Sequence, residues 1–404
     1  MECFKGGFLF MKTQRYLLFA LLYFAEGAIL SYFTALNAIY LRSFGLTMTQ
    51  VGIFSAVAIS PMVLKVFFGM LSDRVNLFGL GHRKPFIIIG LIMQAAGILV
   101  FPYIHPYHSF ILLNITGFLV VSGMALYDTS TDGLALDTTP PEEEGKVQGI
   151  MVAGRAVGVV VISVTLGLIS QHTGWTLVFI ALAIMTLIPL PLVIAFREPS
   201  KPAGITFNWK AFRIFTKRNV IAVGLLGALF TAITNGTNQL VNPFLRETYG
   251  ISFMIAGFYT AVWGVGVIAG GITGGRLADR FGHRKAVLGA LFTALVSIAL
   301  LSLITGSTIA WPLLFLFGIA YGYYETSFFA TAMAATDLRI AASMFSILMA
   351  IANIGSSIGM VLSGAMSDLV GFRWTFVFFA AMNLLVFLLL PVAFPHKKPD
   401  NGNL

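Results

Sequence analysis

The sequence predicts an all-α membrane protein of twelve transmembrane helices, arranged as two similarly ordered six-helix halves. Three observations predict this. Hydrophobic residues make up 58% and charged residues 10% of the 404, with a mean hydropathy of +0.89, whereas a water-soluble globule carries about 25% charge. Apolar stretches of the ~20 residues that a helix needs to cross the hydrocarbon core recur along the whole chain. One loop is written twice: Asp73-Arg74 leading into Gly81-His82-Arg83-Lys84 returns as Asp279-Arg280 leading into Gly282-His283-Arg284-Lys285. Further echoes keep the same order, Tyr127-Asp128-Thr129-Ser130 with Tyr324-Glu325-Thr326-Ser327, and Trp175-Thr176-Leu177-Val178-Phe179 with Trp374-Thr375-Phe376-Val377-Phe378. Two copies of a loop in this setting mean two copies of a unit.

The spans are read at 15–41, 48–72, 84–104, 108–136, 146–171, 174–196, 219–246, 251–277, 285–306, 310–336, 339–368 and 373–394. They are helices, because a barrel strand alternates apolar and polar residues, whereas Ile180 to Ala195 is apolar at almost every position. The first span is too long for a cleaved signal and lacks a small-residue cleavage site; Met11 is an alternative start. It carries a polar stripe of Tyr23, Glu26 and Asn37, with Phe33 on the same face. The second span ends in the first copy of the loop, and His105 and His108 lie between the third and fourth, where solvated histidines are the expectation. The stretch 198–218, with Pro199, Pro202 and several basic residues, divides an N-terminal half (1–197) from a C-terminal half (219–396) and a tail (397–404). Its Phe207, Trp209, Phe212 and Phe215, interleaved with Lys210, Arg213 and Lys217, suit either an interfacial amphipathic segment or a solvated connector. The seventh span is rich in amides and is expected to break at Pro243. Glycines crowd the eighth span from Gly264 to Gly275 and the eleventh at Gly355, Gly359 and Gly364, so close helix packing is expected there.

Basic residues explain the net charge of +9 by their placement. Arg15, Arg74, Arg83, Lys84, Arg197, Lys217, Arg276, Arg280, Arg284, Lys285 and Arg339 fall on one side of the spans, while the opposite loops hold Arg42, Arg246 and Arg373. This asymmetry puts both termini in the cytoplasm, in a bacterial inner membrane, and removes the case for nucleic acid. The single cysteine, Cys3, forms no intrachain disulfide, and no Cys/His grouping has metal-ligand spacing. No phosphate loop, nucleotide motif or soluble catalytic constellation is present, so an enzyme, an ATP-driven pump and a cofactor are all unexpected.

The loop pattern resembles that of the major facilitator superfamily, whose helix two to three loop carries Gly-x-x-x-Asp-Arg-x-Gly-x-Arg-Lys with an echo between helices eight and nine. Here Gly69 to Arg74 is followed by an insertion before Gly81 to Lys84, and the second copy runs from Gly275 to Lys285 without one. The resemblance covers essentially the whole chain and implies that family's fold, alternating access, and a gating role for Gly69, Asp73, Arg74, Arg83, Gly275, Asp279, Arg280 and Arg284. Physically, a glycine at the helix end admits a neighbouring helix, the aspartate accepts hydrogen bonds from arginines or a helix N-terminus, and the cations stay on the cytoplasmic face. A narrower similarity, confined to the first half, is to the muropeptide permease (AmpG-like) branch. It rests on Leu64-Lys65-Val66-Phe67, on Asp128, Asp132 and Asp137 at their spacing, on Pro140-Pro141-Glu142-Glu143-Glu144-Gly145 and on Gly154-Arg155. It implies a muropeptide-like solute and adds Asp132 and Asp137 to the gating set.

Six ionisable residues fall inside spans: Glu26, Lys65, Asp128, Asp132, Arg155 and Glu325. Each costs at least about 2.5 kcal/mol on insertion scales, so each requires a partner, a wet cavity or a neutral form. Counting 1.5 Å per residue puts all but Asp132 near the middle of a ~30 Å core, with Asp132 one turn nearer the cytoplasm. Four acids against two bases favour proton binding, and Glu26, Asp128 and Glu325 are the coupling candidates. Lys65 and Arg155 are either receptors for an anionic solute group or fixed partners of Asp128 and Asp132. Asn37, Asn235, Asn238, Gln239, Trp263, Tyr324 and Asn353 complete a candidate solute site, with helix-to-helix hydrogen bonding as the alternative for each. The reading is a monomeric secondary transporter taking up a polar, muropeptide-like or other glycoside- or peptide-like solute with protons. Efflux, facilitated diffusion, and a non-transporting sensor or assembly factor are the alternatives.

Overall fold

The computed structural model describes residues 2–79, 81–140, 143–198, 216–335 and 341–394, without the side chains of 2–12, 73, 74, 78, 144–146, 148 and 341–343. Its long elements are all helices. In chain order α1 spans Thr13–Ser43, α2 Met48–Ser72, α3 Lys84–Tyr103, α4 Phe110–Thr138, α5 Gly149–Thr173 and α6 Trp175–Ala195. Then α7 spans Arg218–Tyr249, α8 Phe253–Phe281 and α9 His283–Ser302. The last three are α10 at Ser307–Ala335, α11 at Met344–Val370 and α12 at Phe372–Ala393. All lie within a few residues of the spans read from the sequence. Eleven are long and apolar enough to cross a membrane. The other, α10, is as long at 29 residues but gathers Tyr321, Tyr323, Tyr324 and Glu325 in its middle. The amphipathic 199–215 stretch lies outside the described residues.

Within each set of six the same partners recur. α1 packs on α5 as α7 does on α11, α2 on α4 as α8 on α10, and α3 on α6 as α9 on α12. The two sets meet through α2 against α11 and α5 against α8, which are equivalent pairs under the repeat. Twelve antiparallel crossings leave two faces, one of short turns around residues 45, 105, 174, 250, 305 and 371, the other carrying the basic loops.

Several helices depart from α geometry, and two of these departures lie near the site. α1 contains a π turn at Phe33–Asn37, and α2 tightens into a 3₁₀ turn at Ser60–Leu64 around Pro61, whose missing N–H removes one α-type bond. The expected break at Pro243 does not occur: α7 runs through it to Tyr249. Proline removes a single hydrogen bond, whereas unwinding in hydrocarbon exposes several backbone groups, so the helix continues. Asn242 beside it donates to the carbonyls of Thr34 and Ala35 in the π turn, at 3.3 and 3.0 Å.

The first copy of the repeated loop is held by the end of α6. The Glu198 carboxylate accepts from the backbone N–H groups of His82, Arg83 and Lys84 at 2.9–3.0 Å, satisfying the start of α3. Lys84 reciprocates by donating its ammonium to the carbonyls of Ile194 and Phe196, at 2.6 and 3.0 Å. Gly81, at φ +115°, makes the approach possible, since a Cβ there would lie 2.2 Å from Glu198 Oε2. Glu198→Ala is expected to lower stability by about 1–2 kcal/mol, the worth of a lost helix cap; thermal unfolding in detergent measures it, and an unchanged midpoint refutes the capping role.

Candidate functional site

The close approach of α1 and α5 sets up the site. A Cβ on Gly27 would lie 2.2 Å from the Arg155 carbonyl oxygen, so the two backbones touch and the neighbouring side chains, Glu26 and Arg155, are brought face to face. Arg155 Nη1 lies 3.5 Å from Glu26 Oε1. On the other side of the same cavity, the Lys65 ammonium contacts Asp128 Oδ2 of α4. One turn on, Asp132 accepts a hydrogen bond from the Tyr23 hydroxyl of α1. Glu26, Lys65, Asp128, Asp132 and Arg155 therefore form one cluster among α1, α2, α4 and α5. The two-pair arrangement expected for Lys65 and Arg155 is met only for Lys65 with Asp128. Arg155 serves Glu26, and Asp132 accepts from the Tyr23 hydroxyl.

Acids and bases differ in exposure. Glu26 and Asp128 are 6% and 4% exposed, while 31% of the Lys65 side chain and 36% of Arg155 remain exposed. The carboxylates are thus the buried members of the cluster and the cations the more exposed ones. Glu325, on α10 of the opposite half, acts electrostatically on Arg155 and on Tyr321. Tyr321 donates its hydroxyl to Asn235 Oδ1 at 2.9 Å and meets the Trp263 ring edge-on at 5.1 Å. Trp263 keeps a buried indole N–H without a partner. Tyr321 was not among the residues picked from the sequence, although it lies four residues before Glu325 and so on the same helix face.

The other sequence candidates are dispersed. Asn238 lines a small cavity of about 10 Å³ with Asn242, Tyr259, Thr260 and Trp263, the size of one water. Gln239 donates to Met360 O and Ser363 Oγ at 3.0 and 3.1 Å, tying α7 to α11. Asn37 donates to Ser55 at 3.4 Å and Asn353 to Met62 O at 3.4 Å, the latter across the two halves. Tyr324 is fully buried against Phe230, with ring centroids 4.2 Å apart, so it faces the helix core and not the cavity.

Of the gating candidates, Arg83 turns inward, donating to Ser72 Oγ at 2.7 Å and pairing with Asp137 at 3.1 Å. Gly69 lies against Thr129 of α4, and Gly275 against Thr326 of α10. Asp279, Arg280 and Arg284 are exposed on the basic-loop face, and the side chains of Asp73 and Arg74 lie outside the described residues. Asp132 sits in the central cluster with Tyr23.

Strong contacts between the halves gather near the short-loop face. Arg42 pairs with Glu247 through two bonds of 2.5 and 2.9 Å. Asp368, near the end of α11, accepts from the N–H groups of Met48 and Thr49 at 3.0 and 2.7 Å and from the Thr49 hydroxyl at 2.6 Å, and so caps α2. Trp175 packs edge-on against Phe253 at 5.0 Å, with Arg246 over the same ring. These contacts tie the two halves together at that face.

Comparison with known proteins agrees with this architecture. The chain is 24% identical over 391 residues to YybF, an uncharacterised MFS-type transporter of Bacillus subtilis strain 168, covering 90% of each. Among solved structures, a bacterial homologue of the human lysosomal transporter Spinster superposes with a TM-score of 0.74 at 19% identity, over 96% of this chain and 98% of that one. The nucleoside transporter NupG does so with 0.78 at 14% identity, over 96% and 100%. The Major Facilitator Superfamily model matches residues 16–346 and 339–404; the chain belongs to this superfamily and is a multi-pass membrane transporter.

Proposed function

We propose that the protein is a proton-coupled carrier that takes up a polar solute with an acidic group. One observation carries the reading: Arg155 of the first half lies 3.5 Å from Glu26 of its own half and within electrostatic reach of Glu325 of the other. A guanidinium shared by carboxylates from two moving halves responds to the protonation of either. When Glu325 holds a proton, Arg155 is held by Glu26 alone; when Glu325 is ionised, it draws Arg155 towards the opposite half. Proton binding then biases which arrangement of the halves is favoured, as alternating access requires.

Solute chemistry follows from the cavity walls. The exposed portions of Arg155 and Lys65 offer charge-assisted donors to a carboxylate or phosphate, while Tyr321, Asn235 and the free Trp263 N–H face them as ring and hydrogen-bonding groups. A muropeptide-like solute, which combines sugar rings with peptide carboxylates, suits both walls. NupG is a nucleoside transporter, so a nucleoside belongs in the test. By the placement of basic loops, the open side is the cytoplasm and both chain ends lie there, with the bacterial inner membrane as the site.

The test is uptake of labelled anhydro-muropeptide, nucleoside, sugar and amino acid into proteoliposomes under an imposed inward proton gradient. Gradient-driven accumulation of one class, lost in Glu325→Gln while solute exchange persists, is the expected result. Flux indifferent to the gradient would make the protein a facilitator, and absence of flux for every class would leave it a sensor or assembly factor.

A further inference from the structure

At the short-loop end of each half, the last turn of the first helix, the end of the third and the first turn of the sixth meet in a corner, and the two corners match residue for residue. Phe44 and Tyr249 each precede the positive-φ glycine that closes α1 or α7, Gly45 and Gly250. Ile104 and Ile304 are both buried, and each donates its backbone N–H three residues back, to Phe101 O at 3.1 Å and Leu301 O at 3.3 Å. Gly174 and Gly371, at φ +85° and +81°, precede α6 and α12. The buried positions that follow agree, Val178 with Thr375, Phe179 with Phe376 and Leu182 with Phe379. This register is two residues out of step with the Trp-Thr echo, and it puts Thr176 where the second half has Arg373.

In the second half the chain fills the corner itself. The Arg373 guanidinium donates to the carbonyls of Ser302 and Ile304 at 2.5 and 2.6 Å and to the Tyr249 hydroxyl at 2.9 Å, and it lies 5.6 Å from the centre of the Phe244 ring. These partners are all neutral, so carbonyls, a phenol and a ring suffice to hold a guanidinium at the water's edge. In the first half the equivalents of Ser302, Ile304, Tyr249 and Arg373 are Pro102, Ile104, Phe44 and Thr176, and all four line a cavity of about 390 Å³, within the range of small-molecule sites. Tyr40, Tyr103 and Trp175 add aromatic rings to its wall, and among the described residues no carboxylate does. Tyr40 is 2% exposed, and its hydroxyl has no hydrogen-bond partner among the described residues. One turn before Phe44 on α1, it offers the phenol oxygen that Tyr249 supplies in the second half.

We propose that this cavity binds a small organic cation bearing a guanidinium, held as Arg373 is held in the other half. Its N–H groups donate to the Pro102 and Ile104 carbonyls and the Tyr40 hydroxyl, and its charge rests against the surrounding rings. A planar fork of donors suits such a wall, whereas an inorganic cation calls for carboxylates or many converging oxygens. The site lies on the short-loop face, apart from the cluster of Glu26, Lys65 and Arg155, and is independent of the transported solute.

The test is a titration of the purified full-length protein in detergent with methylguanidinium chloride, read by saturation transfer from the protein to the methyl protons of the ligand, with glucose as the neutral control. Saturable transfer to methylguanidinium and none to glucose is expected. Thr176→Arg places a guanidinium on the chain; it is expected to abolish the transfer and to unfold at a higher temperature than Thr176→Ala, which itself titrates as wild type does. Tyr40→Phe is expected to weaken binding about three- to tenfold, the worth of one hydrogen bond. Thr176→Lys serves if the arginine variant does not fold. A wild type without saturable transfer overturns the proposal, as does transfer to glucose in place of methylguanidinium, or a folded Thr176→Arg that still binds as wild type does. No flux is measured, so the result stands whatever the uptake assay shows.

Discussion

Arg155→Gln is expected to abolish solute accumulation and to lower stability, whereas Arg155→Gln with Glu26→Gln is expected to recover stability without recovering transport. The reason lies in the asymmetry of the pair. Glu26 is buried and Arg155 lines the cavity, so removing the arginine strands a desolvated carboxylate. Breaking a buried pair is costly, while neutralising both partners is nearly neutral. Because a third of Arg155 remains exposed, roughly 1–3 kcal/mol is the expected loss for the single variant. Transport needs the charge itself, both for the response to Glu325 and for an anionic solute, so the double variant stays inactive. Thermal unfolding and proteoliposome uptake on wild type, Arg155→Gln, Glu26→Gln and the double variant read the two effects separately. A double variant that transports normally would reduce Arg155 to a structural partner.

The second large effect concerns the closed face. A Cβ on Gly52 would lie 2.3 Å from the carbonyl oxygen of Met360 and 3.0 Å from Val361 Cα, so α2 and α11 meet backbone to backbone. Gly52→Leu cannot be accommodated by rotating a flexible side chain out of the way, and the helices must separate. Opening this seam also breaks the Asp368 cap on α2 and the Arg42–Glu247 pair nearby. The variant is therefore expected to favour the state open at the short-loop face and to lose net uptake while remaining folded. The single native cysteine, Cys3, is easily replaced by serine. Ser357→Cys, placed where Ser357 Oγ lies 3.4 Å from the Ala56 carbonyl, then reports opening by its reaction with an impermeant maleimide. A rise of about tenfold in labelling is expected, corresponding to a shift of roughly 1.4 kcal/mol in the balance of states. Unchanged labelling would show that the seam yields without opening. Asp368→Asn is expected to move labelling in the same direction by less, since it weakens the cap without adding bulk.

The helices were legible in the sequence because the bilayer imposes a simple requirement: every backbone group must be satisfied within its own segment, and about 20 apolar residues suffice to show it. Proline was misread for the same reason in reverse. Pro243 resembles a helix stop by the rules of water, yet in hydrocarbon the continuing helix is cheaper than exposed backbone. The buried charges were equally legible, since Glu26, Lys65, Asp128, Arg155 and Glu325 are too expensive in lipid to lack a polar setting.

What the sequence by itself determined is thus the number and order of the helices and their repeat, which follow from composition and spacing along one chain. Only the tertiary structure decided who meets whom. That Arg155 serves Glu26, that Asp132 takes Tyr23, that Tyr321 faces the cavity while Tyr324 faces the core, and that Asp368 caps α2 depend on which helix faces touch. Helix pairing across hundreds of residues is set by close glycine contacts and by shape, and the depth of a residue in its own helix carries no information about the rotation of its neighbour.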